Sequence, residues 1–309
     1  MEWNVENLYD TLHDVGFDDR EFLPNAERRW NTPRYFHKQS SLAKTILAAG
    51  GLQPVDLVAL CEVENDSVMH FLCRRTRLAR LGYEYLVTHS ADRRGIDVAL
   101  LYQPETFALL HSETYRVPYD SLRERPTRDL LHAAGRLPFG DTLDVFVVHF
   151  PSRRGGATIS EPYRLRAAGI LRHLADSIAR CRHTPRLLAM GDFNDEPHNA
   201  SVSRVLAPTF AELTSHATPL PAEGHDDIEG SYYFRGEWSR IDQILVSPAL
   251  LSPTMKFHTI PQSVHLLAFP PLLETLGRGT LSKPFRTYLG PFYHGGISEH
   301  LPLCIDFSY

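Results

Sequence analysis

Short β-branched or Leu-rich runs recur along the chain between longer segments whose apolar residues repeat at helical spacing. That alternation is the pattern of a layered α/β architecture. The runs predict strands at 55–61, 96–102, 143–149, 186–191, 241–247 and 303–307, and the periodic segments predict helices at 37–49, 66–81, 162–180 and 198–206. A first strand is expected around Trp3-Asn4-Val5. Only short turns separate some neighbours, such as the strands around 83–88 and 96–102. Antiparallel strands tolerate so tight a link and parallel ones do not, so mixed or antiparallel sheets are expected rather than a doubly wound parallel one. Two stretches follow neither period: 13–36, where acidic, basic and aromatic residues alternate, and 263–296, rich in Pro, Gly, His and aromatics. Both read as long surface loops, which in a compact domain are often functional.

With 309 residues and 43% hydrophobic content the chain can bury a large core. At roughly 150 residues per domain its length would suggest two domains. No Gly/Ser-rich or charge-run linker divides it, so one domain over 1–309 is expected. The net charge of −5 argues against gripping nucleic acid through overall charge and leaves local basic patches to consider. These are Arg74, Arg75, Arg77 and Arg80; Arg93-Arg94; Arg123, Arg125 and Arg128; and Arg153-Arg154. The first group reads as a solvated helix face, while the others flank candidate catalytic segments. Cys61, Cys73, Cys181 and Cys304 show no CxxC spacing, so they read as small buried hydrophobes rather than as a zinc site or disulfide framework. No apolar stretch approaches the roughly 18 residues of a membrane-spanning helix. No signal peptide is recognisable, but the chain opens almost on Trp3-Asn4-Val5, like the end of a first strand whose opening residues are missing, and a fragment lacking its leader would look the same; the compartment is left open between cytoplasmic and exported with the leader removed.

The strongest local signal is Gly191-Asp192-Phe193-Asn194-Asp195, where a buried run delivers an Asp and an Asn two residues apart. At an extended strand end, positions i and i+2 point the same way. A carboxylate beside an amide donor can orient a water and hold a phosphoryl oxygen, although Asp and Asn also suit a plain strand-to-turn corner. Other polar residues end apolar runs in the same manner. Asn4 follows the first strand, and Glu62 closes VDLVALC. A Glu there is costly unless it ligates a metal or pairs with an arginine. Asp242 opens another apolar strand, and Ser298-Glu299-His300 precedes the last. A lone histidine is usually structural, but His149 and His300 both stand near an acid able to set tautomer and pKa.

In order, Asn4, Glu62, Asp192-Asn194, Asp242 and Glu299-His300 resemble the endonuclease/exonuclease/phosphatase superfamily, as do Asn4-Val5-Glu6-Asn7-Leu8, Glu62-Val63-Glu64-Asn65, Arg94-Gly95-Ile96-Asp97 and His149-Phe150-Pro151-Ser152-Arg153-Arg154-Gly155-Gly156. The likeness covers essentially the whole chain, in the manner of a bacterial branch. It implies an α/β fold, a four-layer α/β/β/α sandwich of two packed mixed β-sheets flanked by helices, and a metal-dependent hydrolase of phosphoester bonds. Carried over by position, Glu62 is the principal Mg²⁺ ligand, with Asn4 beside it and Asp192 and Glu299 on the metal side. Asp192 positions or deprotonates the attacking water, Asn194 binds transition-state oxygens, and His300 paired with Asp242 hydrogen-bonds the phosphoryl group. His149 protonates the leaving group or binds phosphate, with Asp97 as its expected partner. Arg128, with Arg125 as fallback, and Arg153 are the expected phosphate contacts. Where relatives carry Ser-Asp-His this chain has Ser298-Glu299-His300; the extra methylene would shift a ligand in a magnesium geometry near about 2.1 Å. The lack of a Cys/His cluster favours Mg²⁺, with Mn²⁺ as substitute. A nuclease acting on DNA or RNA is expected first, then a phosphoesterase of a lipid headgroup, sugar phosphate or other small phosphoester, and last an inactive binding module. No obligate protein partner is indicated, and a monomer is expected.

Overall fold

The computed structural model describes residues 1–119, 125–221, 227–276 and 281–309; Arg123 lies outside them. Two mixed sheets form the interior. The seven-stranded sheet has the order Thr218–Leu220, His265–Leu267, Leu303–Cys304, Glu2–Leu8, Leu57–Val63, Asp97–Tyr102, Glu84–Val87. The six-stranded sheet runs Ala108–Tyr115, Leu130–Arg136, Thr142–His149, Leu187–Asp192, Asp242–Val246, Ala211–Glu212. In the middle of each sheet two parallel strands are joined through a long helix. Thr32–Gly50 links Glu2–Leu8 to Leu57–Val63, and Ala157–Cys181 links Thr142–His149 to Leu187–Asp192. Parallel pairing requires such a crossover, and these two place the carboxyl ends of four central strands at one edge of the molecule.

Burial explains the unbroken apolar runs. Alternate residues of one strand face different layers: Val145 and Val147 enter the core shared with Trp3, Val58 and Leu60 of the other sheet, whereas Phe146 and Val148 join Ala167, Ala168 and Leu171 of the outer helix. A strand covered on both faces has no polar side to show. Leu42, Ile46, Val68 and Leu72 bring the Thr32–Gly50 and Asp66–Arg75 helices against the seven-stranded sheet. The result is the four-layer α/β/β/α sandwich.

The sequence-based element bounds need several revisions. The first helix starts at Thr32, inside the stretch read as a loop, because Asn31 accepts a hydrogen bond from Arg34 N and Pro33 sits in the first turn. The 66–81 helix ends at Arg75. There Thr76 turns extended and its side chain caps a separate 3₁₀ turn, Arg77–Arg80. Residues 201–206 are π-helical rather than α-helical. The 263–296 region contains the His265–Leu267 strand and two hairpins, Leu273–Leu276 with Leu281–Pro284 and Tyr288–Leu289 with Phe292–Tyr293. Among the described residues no helix is long and apolar enough to cross a membrane.

Candidate active site

The strand ends at this edge are irregular in a consistent way. The Glu2–Leu8 strand loses register after Asn4, and Glu6 and Asn7 take φ of 51° and 54°. In the adjacent strand the register shifts between Cys61 and Val63, which leaves Glu62 as a bulged residue at φ 66°. Asn194 stands at φ 50°. Left-handed backbone is costly for non-glycine residues, and bulges re-aim the side chains they carry. Gly191, at φ +146°, allows an even closer approach: a Cβ there would lie 1.8 Å from the Val148 carbonyl oxygen. His149 and Asp192 are neighbours in that ladder, and Asp242 lies opposite Asp192 on the other side.

Asp192 is held from three directions. Its Oδ2 accepts from Asn4 Nδ2 at 3.0 Å, its Oδ1 from Asn194 N at 2.8 Å, and His149 Nε2 stands 3.5 Å from Oδ2. Asn4 is itself oriented because its Oδ1 accepts from Glu6 N at 3.0 Å. Asn194 donates its side-chain amide to Phe150 O at 3.1 Å. His300 Nδ1 lies 2.7 Å from Asp242 Oδ2, which also accepts from the Ser231 hydroxyl. Backbone ties fix His300 to the first strand: Trp3 Nε1 donates to its carbonyl at 2.9 Å, and Ser298 bridges its N–H to Asn4 O. The Tyr232 ring packs 4.7 Å from the imidazole.

Glu62 stands on the seven-stranded side. One oxygen accepts from Asn7 N at 2.9 Å, and the other is 3.5 Å from Arg94 Nη1. Beyond it Glu299 is ion-paired with Arg286, whose Nε is 4.0 Å from Glu6 Oε1. Glu6 accepts from Thr287 N at 2.8 Å. The buried Lys38 donates to Glu6 O and to Thr287 Oγ1, the latter at 2.9 Å.

Burial and neighbouring charge push these groups apart. Burial, then the Asp242 charge, raises Asp192 to about 7. Burial opposes the charged form of His300, yet the Asp242 carboxylate beside it outweighs this and lifts its pKa to about 10. His149 goes the other way: burial and the guanidinium groups of Arg128 and Arg94 hold it well below its ordinary value. The site therefore pairs a neutral imidazole with a protonated one around an acid poised near neutrality. Burial, then Glu299, raises Glu6 to about 7, and burial lowers Lys38 to about 8.

Among the described residues, Asp192, Asp242 and His300 are the acid and histidine groups whose ligand atoms come within 4.8 Å of one another; Glu62 is not among them. Both Asp192 oxygens, Asp242 Oδ2 and His300 Nδ1 are already engaged, and Asp242 Oδ1 is a buried oxygen with no hydrogen-bond partner among the described residues. Glu62, by contrast, offers a carboxylate held by one backbone N–H and a long arginine contact, the hard oxygen donor that Mg²⁺ prefers. The residues fit a divalent cation on the Glu62 side.

Four expected residues sit otherwise than anticipated. Asp97 does not meet His149: it belongs to the seven-stranded sheet, and its Oδ1 accepts from Thr88 Oγ1 at 2.7 Å and Ser90 N at 2.9 Å. The acid beside His149 is Asp192. Arg153 is engaged with Asn194 O at 2.7 Å and Asn199 Oδ1 at 3.0 Å, so it braces the Asp192 turn. Arg128 is buried, donating to Asp92 at 3.1 Å and to Phe150 O, whereas Arg125 is exposed. Glu299 faces Arg286 rather than standing free. Sequence reasoning missed Glu6, Lys38, Tyr232 and Arg286, and it named Arg94 only within a basic patch and a matched segment. Only Glu6 had a signal, since Asn4-x-Glu6 repeats the spacing of Asp192-x-Asn194.

Two packed mixed sheets with acids, amides and histidines gathered at the carboxyl ends of their central strands define a hydrolytic scaffold built for anionic esters. A sequence profile described as the Endonuclease/Exonuclease/phosphatase family matches residues 1–308, and the chain belongs to that family. Members are metal-dependent phosphoester hydrolases, and this chain is a phosphoesterase of the superfamily. Three solved structures share its fold. An endonuclease/exonuclease/phosphatase from Bacteroides vulgatus has a TM-score of 0.63 at 14% identity, over 99% of this chain and 97% of that one. A humanized D. rerio TDP2 gives 0.60 at 17% identity, over 100% and 97%. The mannosyl-6-phosphatase Bt3783 of Bacteroides thetaiotaomicron gives 0.59 at 13% identity, over 100% and 98%. No curated protein matches the chain.

Proposed function

We propose that residues 1–309 form one catalytic domain, a Mg²⁺-dependent phosphodiesterase that hydrolyses nucleic acid by in-line attack of water. The observation that carries the substrate class is a cleft of about 770 Å³ reached past the His149 strand end, at Pro151 and Ser152. Six arginines line it, among them Arg94, Arg125, Arg128 and Arg154, against three acids. A positive trough beside the reacting centre suits a chain of phosphates, although the whole protein is acidic.

Glu62, with Asn4 nearby, would hold the ion, which when bound neutralises charge on the phosphoryl group. Asp192, fixed by Asn4 and Asn194, orients the attacking water and takes its proton once ionised; its pKa near 7 suits that exchange. His300, kept cationic by Asp242, donates to a phosphoryl oxygen. The neutral His149, its Nε2 3.5 Å from Asp192 Oδ2, relays to the departing oxygen the proton that Asp192 takes from water, and its Nδ1 has no hydrogen-bond partner among the described residues. Asn194 supplies a further donor to the oxygens after releasing Phe150 O. A second reading, a small phosphoester as substrate, draws on the net charge of −5.

The test is turnover of plasmid DNA, RNA and a small bis-aryl phosphodiester with added Mg²⁺. Nucleic-acid cleavage that Asp192→Ala and Glu62→Ala each reduce by about a thousandfold or more is expected. Turnover of the small diester alone would favour the second reading, and activity surviving both substitutions would remove the site assignment.

A further inference from the structure

The Asp66–Arg75 helix and the turn after it carry a surface that this chemistry does not use. Phe36, from the Thr32–Gly50 helix, is 47% exposed and stacks on Phe71 with ring centroids 5.0 Å apart and planes 10° apart. Both phenyl rings line a groove of about 730 Å³ together with Ser40, Arg75, Thr76, Arg77 and Arg80. No acid lines it. Arg74 pairs with Glu84 at 2.7 Å, but Arg75, Arg77 and Arg80 are exposed and have no hydrogen bond, ion pair or ring contact among the described residues. Thr76 produces this arrangement by ending the α-helix and capping the 3₁₀ turn Arg77–Arg80, while the buried Leu78 anchors the turn. Residues i and i+3 eclipse in a 3₁₀ helix, so Arg77 and Arg80 leave it on the same side. A solvated face of mixed sign would look different.

Unpaired guanidinium groups around an exposed aromatic face are what single-stranded nucleic acid requires: phosphates for the cations and a flat ring for a base. We propose that this groove is a second nucleic-acid contact, in which Phe36 stacks a base and Arg75, Arg77 and Arg80 hold the backbone of a single strand. The proposal rests on the reading of the active site as one that takes nucleic acid. A neighbouring depression shares Phe71 and Arg75 with the groove and reaches Asp10, Leu12 and Asp66, which follow the strand ends bearing Asn7 and Glu62. Its acids make it a spacer rather than a binding surface. The helix between spans about 15 Å, or roughly four stacked nucleotides at about 3.4 Å each, so the contact selects longer strands over dinucleotide-sized ones.

The experiment measures fluorescence anisotropy of a labelled oligothymidylate of about 20 nucleotides in EDTA, where no turnover occurs, against the full chain. Phe36→Ala is expected to weaken binding by about tenfold. The triple variant Arg75→Gln/Arg77→Gln/Arg80→Gln is expected to weaken it further and to make the slope of log K against log salt shallower by about 2, at roughly 0.7 per phosphate contact. The side chains replaced are on the surface, and the thermal midpoint of each variant checks that the fold is retained. An oligonucleotide that does not bind, or an affinity and slope unchanged in both variants, overturns the proposal. So does an equal loss of affinity for polyglutamate, which would mark a surface for acidic protein. Binding is read without cleavage, so failure of the nuclease reading would show separately, as wild-type enzyme that leaves nucleic acid intact.

Discussion

His149 and His300 both stand beside Asp192 and are driven in opposite directions by their surroundings. Both are buried, and burial alone disfavours an imidazolium. His300 escapes because Asp242 Oδ2 sits 2.7 Å from its Nδ1, while His149 faces the arginine side and its nearest carboxylate, Asp192, is 3.5 Å away. His300, with its pKa raised to about 10 in the folded chain, contributes stability that is fully present below its ordinary value near 6.5 and is lost as pH rises through about 10. Nuclear magnetic resonance of the metal-free protein should show the His300 ring titrating near 10. In Asp242→Asn that pKa should fall below about 6.5, because burial remains and the carboxylate is gone. A wild-type His300 that titrates at the ordinary value would contradict this account of the pair.

At the scale of elements, the site depends on two strands approaching more closely than side chains permit. Gly191 makes that approach, and any Cβ there must displace the Val148 carbonyl while holding φ at +146°. Gly191→Ala should lower the melting midpoint by about 5 °C or more, since forced separation of central strands belongs with the larger point-mutation effects. An unchanged midpoint in a thermal scan would show that the ladder has slack. The sequence made Asp192, Asn194, Asp242 and His300 legible because each stands at the end of a run that burial keeps apolar on both faces. Glu6 escaped although its spacing from Asn4 matched. Placing it requires left-handed backbone at Glu6 and Asn7, which no propensity of those residues announces. Asp97 misled for a related reason: nearness along the chain order of strands did not reveal that it and His149 lie in different sheets. The Leu130–Arg136 strand was illegible because His132 and Gly135 interrupt it; Gly135 leaves room for the Phe107 ring, which a Cβ would meet at 2.4 Å. Asn31-Thr32-Pro33 was a readable helix start hidden inside a stretch judged irregular as a whole.

At the scale of the molecule, each sheet supplies half of the proposed chemistry. The seven-stranded sheet carries Asn4 and Glu62, and the six-stranded sheet carries His149, Asp192 and Asp242, so the reacting centre exists only while the two sheets stay packed. Charge is divided just as sharply. A chain of net charge −5 gathers arginines into a cleft on one side of the site and into the Phe36 groove on another. A divalent ion is expected on the Glu62 side of this edge, beside rather than within the Asp192, Asp242 and His300 cluster. Anomalous diffraction from crystals soaked in Mn²⁺ tests it most directly. The expected result is a peak coordinated by a Glu62 oxygen; a peak held by Asp242 and His300 with Glu62 uninvolved, or no peak at this edge, would overturn that placement.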